Sequence, residues 1–190
     1  YLPHFLSWVI LGGMIYQILS PRYGIVNEIL RKLGLVGPEG IYFMASEQWW
    51  IAVYIGSGIW QGAGWGTILY LAALTAIDPA LYEAAKIDGA GRWKQMRHVT
   101  LPGIAPTIAV LLIFAIGGMI SSNFEHAFAL RNPLVNSVGT VLSIGIYELG
   151  IVQGAFSVTT AIGMVQSVIS MLLILGANIV VRKLGHEGLW

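Results

Sequence analysis

Apolar residues in this chain gather into four long runs separated by three polar connections. The runs are Pro3 to Leu19, Trp49 to Ile77, Pro102 to Ile120 and Phe156 to Val181. A helix needs about 20 mostly apolar residues to cross the hydrocarbon of a bilayer. Each run is therefore read as a transmembrane span, at 3–19, 49–77, 102–120 and 156–181. Pro3 and Pro102 stand at first turns, where a missing N–H is tolerated. Trp49 and Trp50 suit a headgroup-level aromatic belt. The first connection, Ser20 to Gln48, predicts a short interfacial helix over Ile25 to Leu33. The last, Ser121 to Ala155, predicts one around Val138 to Leu149, with Gly150 as its end. The middle connection, Asp78 to Leu101, is densely charged.

Composition turns this pattern into a class. The 190 residues are 56% hydrophobic and 10% charged, with a mean hydropathy of +0.75. Soluble domains carry about 25% charged residues, so the chain reads as an all-α membrane protein. A net charge of +1 points to no nucleic-acid or acidic partner. With no cysteine, disulfides, thiolate metal sites and thiol catalysis are excluded. His4, His98 and His186 show no metal-ligand spacing. The chain opens on Tyr1 with no cleavable leader and is expected to be a fragment lacking upstream sequence. Lys86, Arg92, Lys94 and Arg97, with Arg182 and Lys183 in the tail, fall on one side of four spans. The other two connections share four Lys and Arg over more residues, so Asp78–Leu101 and the C-terminus are expected in the cytoplasm.

Asp78-Pro79 has the chemistry of a helix start: a capping carboxylate before a preorganised first turn. Leu81, Ala84, Ala85 and Asp88 recur on one side, and Glu83 and Lys86 are i, i+3 neighbours. Gly89 permits a sharp reorientation and Gly91 adds a second break. A second, basic helix over Arg92 to His98 is expected to stop at Leu101-Pro102. Small residues flanked by charge suit insertion into a socket on a soluble partner. They equally suit a polar loop resting on lipid headgroups.

The order Glu83-Ala84-Ala85, Gly89, Val99, Leu101-Pro102 resembles the EAA motif of permease subunits of binding-protein-dependent ABC importers, with Val99 where the pattern has Ile. The stretch WQGAGWGTILYLAALTAIDPALYEAAKIDGA is similar to sugar permeases of that family. NFEHAFALRNPLV and the ending GHEGLW resemble the branch that handles complex oligosaccharides and polysaccharides, alginate importers among them. The resemblance implies a type I, MetI-like helical bundle forming one transmembrane domain, with two or more further helices upstream. It implies a second permease subunit, two cytoplasmic ATPases and a periplasmic binding protein as partners. On this footing Asp78–Leu101 is a coupling helix and its surroundings, with Glu83, Ala84, Ala85, Lys86, Asp88, Gly89 and Arg92 as the residues that meet the ATPase. Arg92 and Lys94 serve equally as solvated positive-inside charges. None of Lys32, Lys86, Lys94 and Lys183 follows a glycine, so the chain holds no Walker A loop. ATP and Mg belong to the partner ATPases, and no cofactor is expected in this chain.

Within the spans, Gly58, Gly62 and Gly66 form a small-residue stripe, read either as packing inside one subunit or as a hinge or subunit interface. Tyr54, Trp60, Gln61 and Gln166 are candidates for the substrate pathway, as amides and aromatics suit sugars, with Asn123 near the end of the third span. Helix-to-helix hydrogen bonding accounts for the amides as well. Glu125 would repel an anionic substrate, so a gate or a structural pairing with His126 or Arg131 is the more natural reading, while His126 and Arg131 themselves could instead attract a uronate. A membrane-embedded enzyme would carry paired acids or an HExxH motif within its spans, and a secondary transporter an ionisable residue near mid-span. The runs hold neither.

Overall fold

The computed structural model describes residues 1–183 together with Gly185 and Gly188. His186 and most of the 185–190 ending lie outside the described residues. Among the described residues the fold is all helix. A 3₁₀ turn at Leu2–Phe5 precedes α1 (Trp8–Ile18), α2 (Ile25–Lys32), α3 (Glu47–Thr75) and α4 (Pro79–Ile87). There follow α5 (Arg92–Gly117), α6 (Phe124–Leu130), α7 (Pro133–Gly139), α8 (Leu142–Val152) and α9 (Phe156–Lys183). α5 and α9 are each long and apolar enough to cross a membrane; α3 with α4, bent by 68°, and α7 with α8, bent by 107°, qualify as broken pairs. The chain forms two compact units, Tyr1–Trp65 with Ser121–Ile162 and Gly66–Ile120 with Gly163–Trp190.

In the first unit α1 packs on α6. Gly12 makes the approach possible: a Cβ there would stand 3.0 Å from both the Cβ and the carbonyl oxygen of Ala129. Trp8, Leu11 and Gly12 on α1 are buried, as are His126, Ala127 and Leu130 on α6, each set at one-turn spacing. The core below gathers Met44, Trp50, Leu130 and Val135. The 20–41 connection closes around one side chain, the buried Asn27. Its amide donates to the carbonyls of Ile41 (3.0 Å), Ser20 (3.2 Å) and Leu19 (3.4 Å), and its Oδ1 accepts from the Ile41 N–H (2.7 Å). Gly40, at φ +70°, completes the wrap: a Cβ there would come 2.7 Å from the Pro21 carbonyl oxygen.

In the second unit α5 packs on α9 through Ala109, Ile113, Ala177 and Val181. Gly117 meets Ile174 so closely that an added Cβ would collide with its Cγ1.

Three expectations need correction. Pro3–Leu19 is not one spanning helix. Ser7 caps α1, accepting from the Ile10 N–H at 3.4 Å, so the helix begins only at Trp8. Its 11 residues rise about 16 Å against about 30 Å of hydrocarbon. Leu101-Pro102 does not end a short basic helix, because α5 runs unbroken from Arg92 to Gly117. A π turn over Met96–Thr100 absorbs the proline: the Leu101 N–H reaches back five residues to the Met96 carbonyl, and the widened turn tolerates a residue that lacks a donor. The helix expected around Val138–Leu149 is two pieces, broken between Gly139 and Leu142. Gly150 does not stop the second piece but sits inside a π turn, and the chain reverses at Gly154, φ +72°.

Replacing Asn27 with Leu strands the Ile41 N–H and three carbonyls. The expected cost is about 2–3 kcal/mol, a fall of about 5–10 °C in the thermal unfolding midpoint of the detergent-solubilised protein.

Candidate functional site

The charged connection is built as a braced, projecting helix. The Ala80 N–H donates to Asp78 Oδ1 at 2.9 Å, and Pro79 fills the first turn. At the other end the Gly89 N–H bonds the Lys86 carbonyl (3.0 Å) and the Ala90 N–H bonds the Ala85 carbonyl (2.8 Å). That is a Schellman closure, with Gly89 at φ +75° supplying the left-handed residue it requires. The Tyr82 hydroxyl pairs with the Thr100 hydroxyl at 3.0 Å, and Gln95 Nε2 donates to the Ala90 carbonyl at 2.8 Å. α4 is thus fastened to the first turns of α5 by its Tyr82 side.

Its other faces are open. Glu83, Ala84, Lys86, Asp88, Gly89 and Arg92 are exposed, and Ala85 is half-buried, its carbonyl engaged in the closure. The described residues hold two ion pairs, Glu28–Lys32 and Arg131–Glu148, so the neighbours Glu83 and Lys86 do not form one. The sequence reading missed the apolar part of this surface. Leu81, Ile87 and Trp93 are 54%, 87% and 80% exposed among the charges. The signal was legible: Ile87 lies between Lys86 and Asp88, and Trp93 between Arg92 and Lys94, positions where water favours polar side chains.

A second constellation lies in the first unit. Trp8 stacks on His126 (ring centroids 3.6 Å), His126 on Tyr54 (4.1 Å), and Tyr54 on Trp50 (5.1 Å). The Ser57 hydroxyl donates to the Tyr54 carbonyl at 3.2 Å, so its oxygen is left to accept from His126 Nε2–H at 3.0 Å. Burial pushes the His126 imidazole down to a pKa of about 4, so the ring is neutral at physiological pH. Asn123 caps α6, its Oδ1 accepting from the His126 N–H at 3.1 Å. A Cβ on Gly58 would stand 3.2 Å from His126 Cε1, so this glycine admits the imidazole.

Of the expected pathway residues, Tyr54 and Asn123 are drawn together around His126. Trp60 is exposed and Gln61 half-buried farther along α3. Gln166 belongs to the second unit, where its Nε2 donates to the Ile120 carbonyl at 3.3 Å. Among the described residues nothing lies within 4 Å of a Cβ added at Gly62 or Gly66, and of that stripe Gly58 alone has a close partner there. The expected pairing of Glu125 is not formed. Glu125 points outward, Arg131 takes Glu148 at 2.6 Å, and His126 takes Ser57. His126 owes its place to contacts with residues 8, 54 and 57, too distant in the chain for periodicity to reveal.

Residues 1–186 match the family model described as "Binding-protein-dependent transport system inner membrane component". The chain is 43% identical over 190 residues to the polygalacturonan/rhamnogalacturonan transport system permease protein YteP of Bacillus subtilis, and 41% identical to Protein LplB of the same organism. Those matches cover 100% of this chain but 58% and 59% of the relatives, so the chain spans about three fifths of their length. It superimposes with a TM-score of 0.92 on a chain of a bacterial alginate ABC transporter in complex with an alginate pentasaccharide-bound periplasmic protein. That pairing is 40% identical and covers 100% of this chain and 65% of the other. The all-helical architecture, the EAA-type segment on a projecting helix and these matches together place the chain in the family of binding-protein-dependent transport system inner membrane components, with the MetI-like fold of ABC importer permeases.

Proposed function

We propose that this chain is the membrane-spanning permease portion of an ATP-driven importer that passes a saccharide, from the class of acidic oligo- and polysaccharides, from a periplasmic binding protein into the cytoplasm. α4 is the element that couples it to a partner ATPase. ATP and Mg are held by two such ATPases, and a second permease subunit completes the pathway. The α4 side and the C-terminus face the cytoplasm, in line with the Lys and Arg they carry.

The observation that carries the reading is the shape of α4. It is a short helix, closed at both ends by its own groups and braced on one side. Its exposed faces mix carboxylates, Lys86 and large apolar residues. Exposed Leu81, Ile87 and Trp93 give a socket apolar anchors, while Ala84 lets the socket wall come close to the backbone. The acidic-saccharide class rests on the relatives: one is a polygalacturonan/rhamnogalacturonan permease, and a transporter 41% identical over 96% of this chain is involved in import of the acidic polysaccharide alginate.

Two outcomes are expected in proteoliposomes holding the complete importer. Gly89→Val forces a β-branched residue into the left-handed conformation and misdirects α4. Uptake and binding-protein-stimulated ATP hydrolysis both fall about tenfold or more, while membrane insertion stays at the wild-type level. Ile87→Asp leaves the helix intact but weakens ATPase retention on purification in a salt-independent way, since the contact it removes is apolar. Wild-type uptake and stimulation in both variants would contradict the coupling role.

A further inference from the structure

Just past the end of α6 lies a cavity of about 360 Å³ lined by Phe128, Arg131, Asn132, Pro133 and Asn136. Pockets for small ligands begin at about 300 Å³, room for one sugar ring. From this cavity we infer a subsite for a uronate residue of the transported saccharide, in which Arg131 and Asn136 donate to the carboxylate and the Phe128 ring packs on the sugar face. The inference rests on the acidic-saccharide reading above.

Each part is held ready. Phe128 is fixed by its neighbours Phe124 (5.2 Å, near-parallel) and Tyr147 (6.0 Å, edge-on), yet stays half exposed. Arg131 is the only Lys or Arg between Ser121 and Ala155. Its Nε–H donates to Asn136 Oδ1 at 3.1 Å and its Nη1 meets Glu148 Oε1 at 2.6 Å. A guanidinium has five N–H donors, more than one carboxylate and one amide oxygen take up. With its Oδ1 occupied by Arg131, the Asn136 side chain has its amide N–H groups left to offer. Asn132 only shapes the wall, because its amide is spent on Tyr16 Oη (3.1 Å) and the Met44 carbonyl (2.8 Å), and its oxygen on the Leu134 N–H (3.0 Å). What remains for a ligand is donor-rich, and a carboxylate is a group that only accepts.

Glu148 sets the strength. Its charge offsets that of Arg131, so a uronate entering the site adds to an existing pair instead of meeting a bare cation. Affinity is held low, as a conduit needs if its cargo is to leave again. The two partners of this ion pair must therefore act in opposite directions. A purely structural pair would weaken the site whichever member is lost.

The test is binding of pentagalacturonate, and of its neutral methyl ester, to the complete importer in lipid nanodiscs without binding protein, followed by saturation-transfer NMR. Arg131→Gln is expected to weaken pentagalacturonate binding about tenfold or more, and Glu148→Gln to tighten it roughly threefold. The ester should bind weakly and respond to neither change. Arg131→Lys, which keeps the charge, should retain part of the preference for the acid. Equal binding of acid and ester, a loss of affinity in both Gln variants, or no binding to the wild type at millimolar pentagalacturonate would each overturn the subsite. Failure of ATPase coupling, by contrast, would appear as lost uptake with this binding unchanged.

Discussion

The carbonyl of Leu130 is the point on which the first unit turns. It closes α6, and the last carbonyls of a helix have no partner within it. In an apolar protein water is not at hand to satisfy them. Here both lone pairs are used: the Trp50 indole N–H donates at 2.8 Å and the Tyr16 hydroxyl at 2.9 Å. One from α3 and one from α1, these donors bind three helices to a single oxygen. Asn132, two residues on, extends the tie to Tyr16 and to the Met44 carbonyl. The closure also fixes where the chain leaves α6, and hence the direction in which Arg131 meets Asn136 and Glu148. On the same helix, about one turn back, His126 is clamped between Trp8 and Tyr54.

The second unit meets the same demand with its own backbone. α4 ends in a Schellman closure and α5 passes Pro102 by way of a π turn. Neither device draws on a distant side chain. α4 can therefore stand out from its unit, braced by the Tyr82–Thr100 and Gln95–Ala90 hydrogen bonds, and still remain a helix. A helix that needs no tertiary cover is free to offer its surface to something else. Large apolar side chains left open there, Ile87 on α4 and Trp93 on the first turn of α5 above all, carry the cost of meeting water and are relieved when a partner covers them.

How much of this was legible in the sequence depends on how far apart the contacting residues lie. Local chemistry read well: Asp78 caps, Gly89 turns the chain, and the spacing of Glu83-Ala84-Ala85 to Gly89 and Leu101-Pro102 pointed to the family. Where one local rule competes with another, the reading failed. Proline normally marks a boundary, but a single widened turn removed the one at Leu101-Pro102; Ser7 proved a stronger start signal than Pro3. Contacts across many residues were not legible at all. Nothing in the spacing of Trp8, Tyr54 and His126 announces a stack, and the choice of Glu148 over Glu125 as the partner of Arg131 is made by the bend between α7 and α8. Attention to charge also concealed the apolar residues that sit among the charges of α4.

On the proposed reading, α4 is the surface on which a cytoplasmic ATPase acts. The 190 residues contain no cysteine, so a single one introduced at Ile87 is the one thiol among them. The direct measurement is thiol crosslinking of Ile87→Cys in membranes containing the complete importer, with and without ATP. A crosslink to the ATPase subunit is expected, with a yield that changes with nucleotide. Labelling of that cysteine by a membrane-impermeant reagent added outside intact cells, with no crosslink to the ATPase, would contradict it.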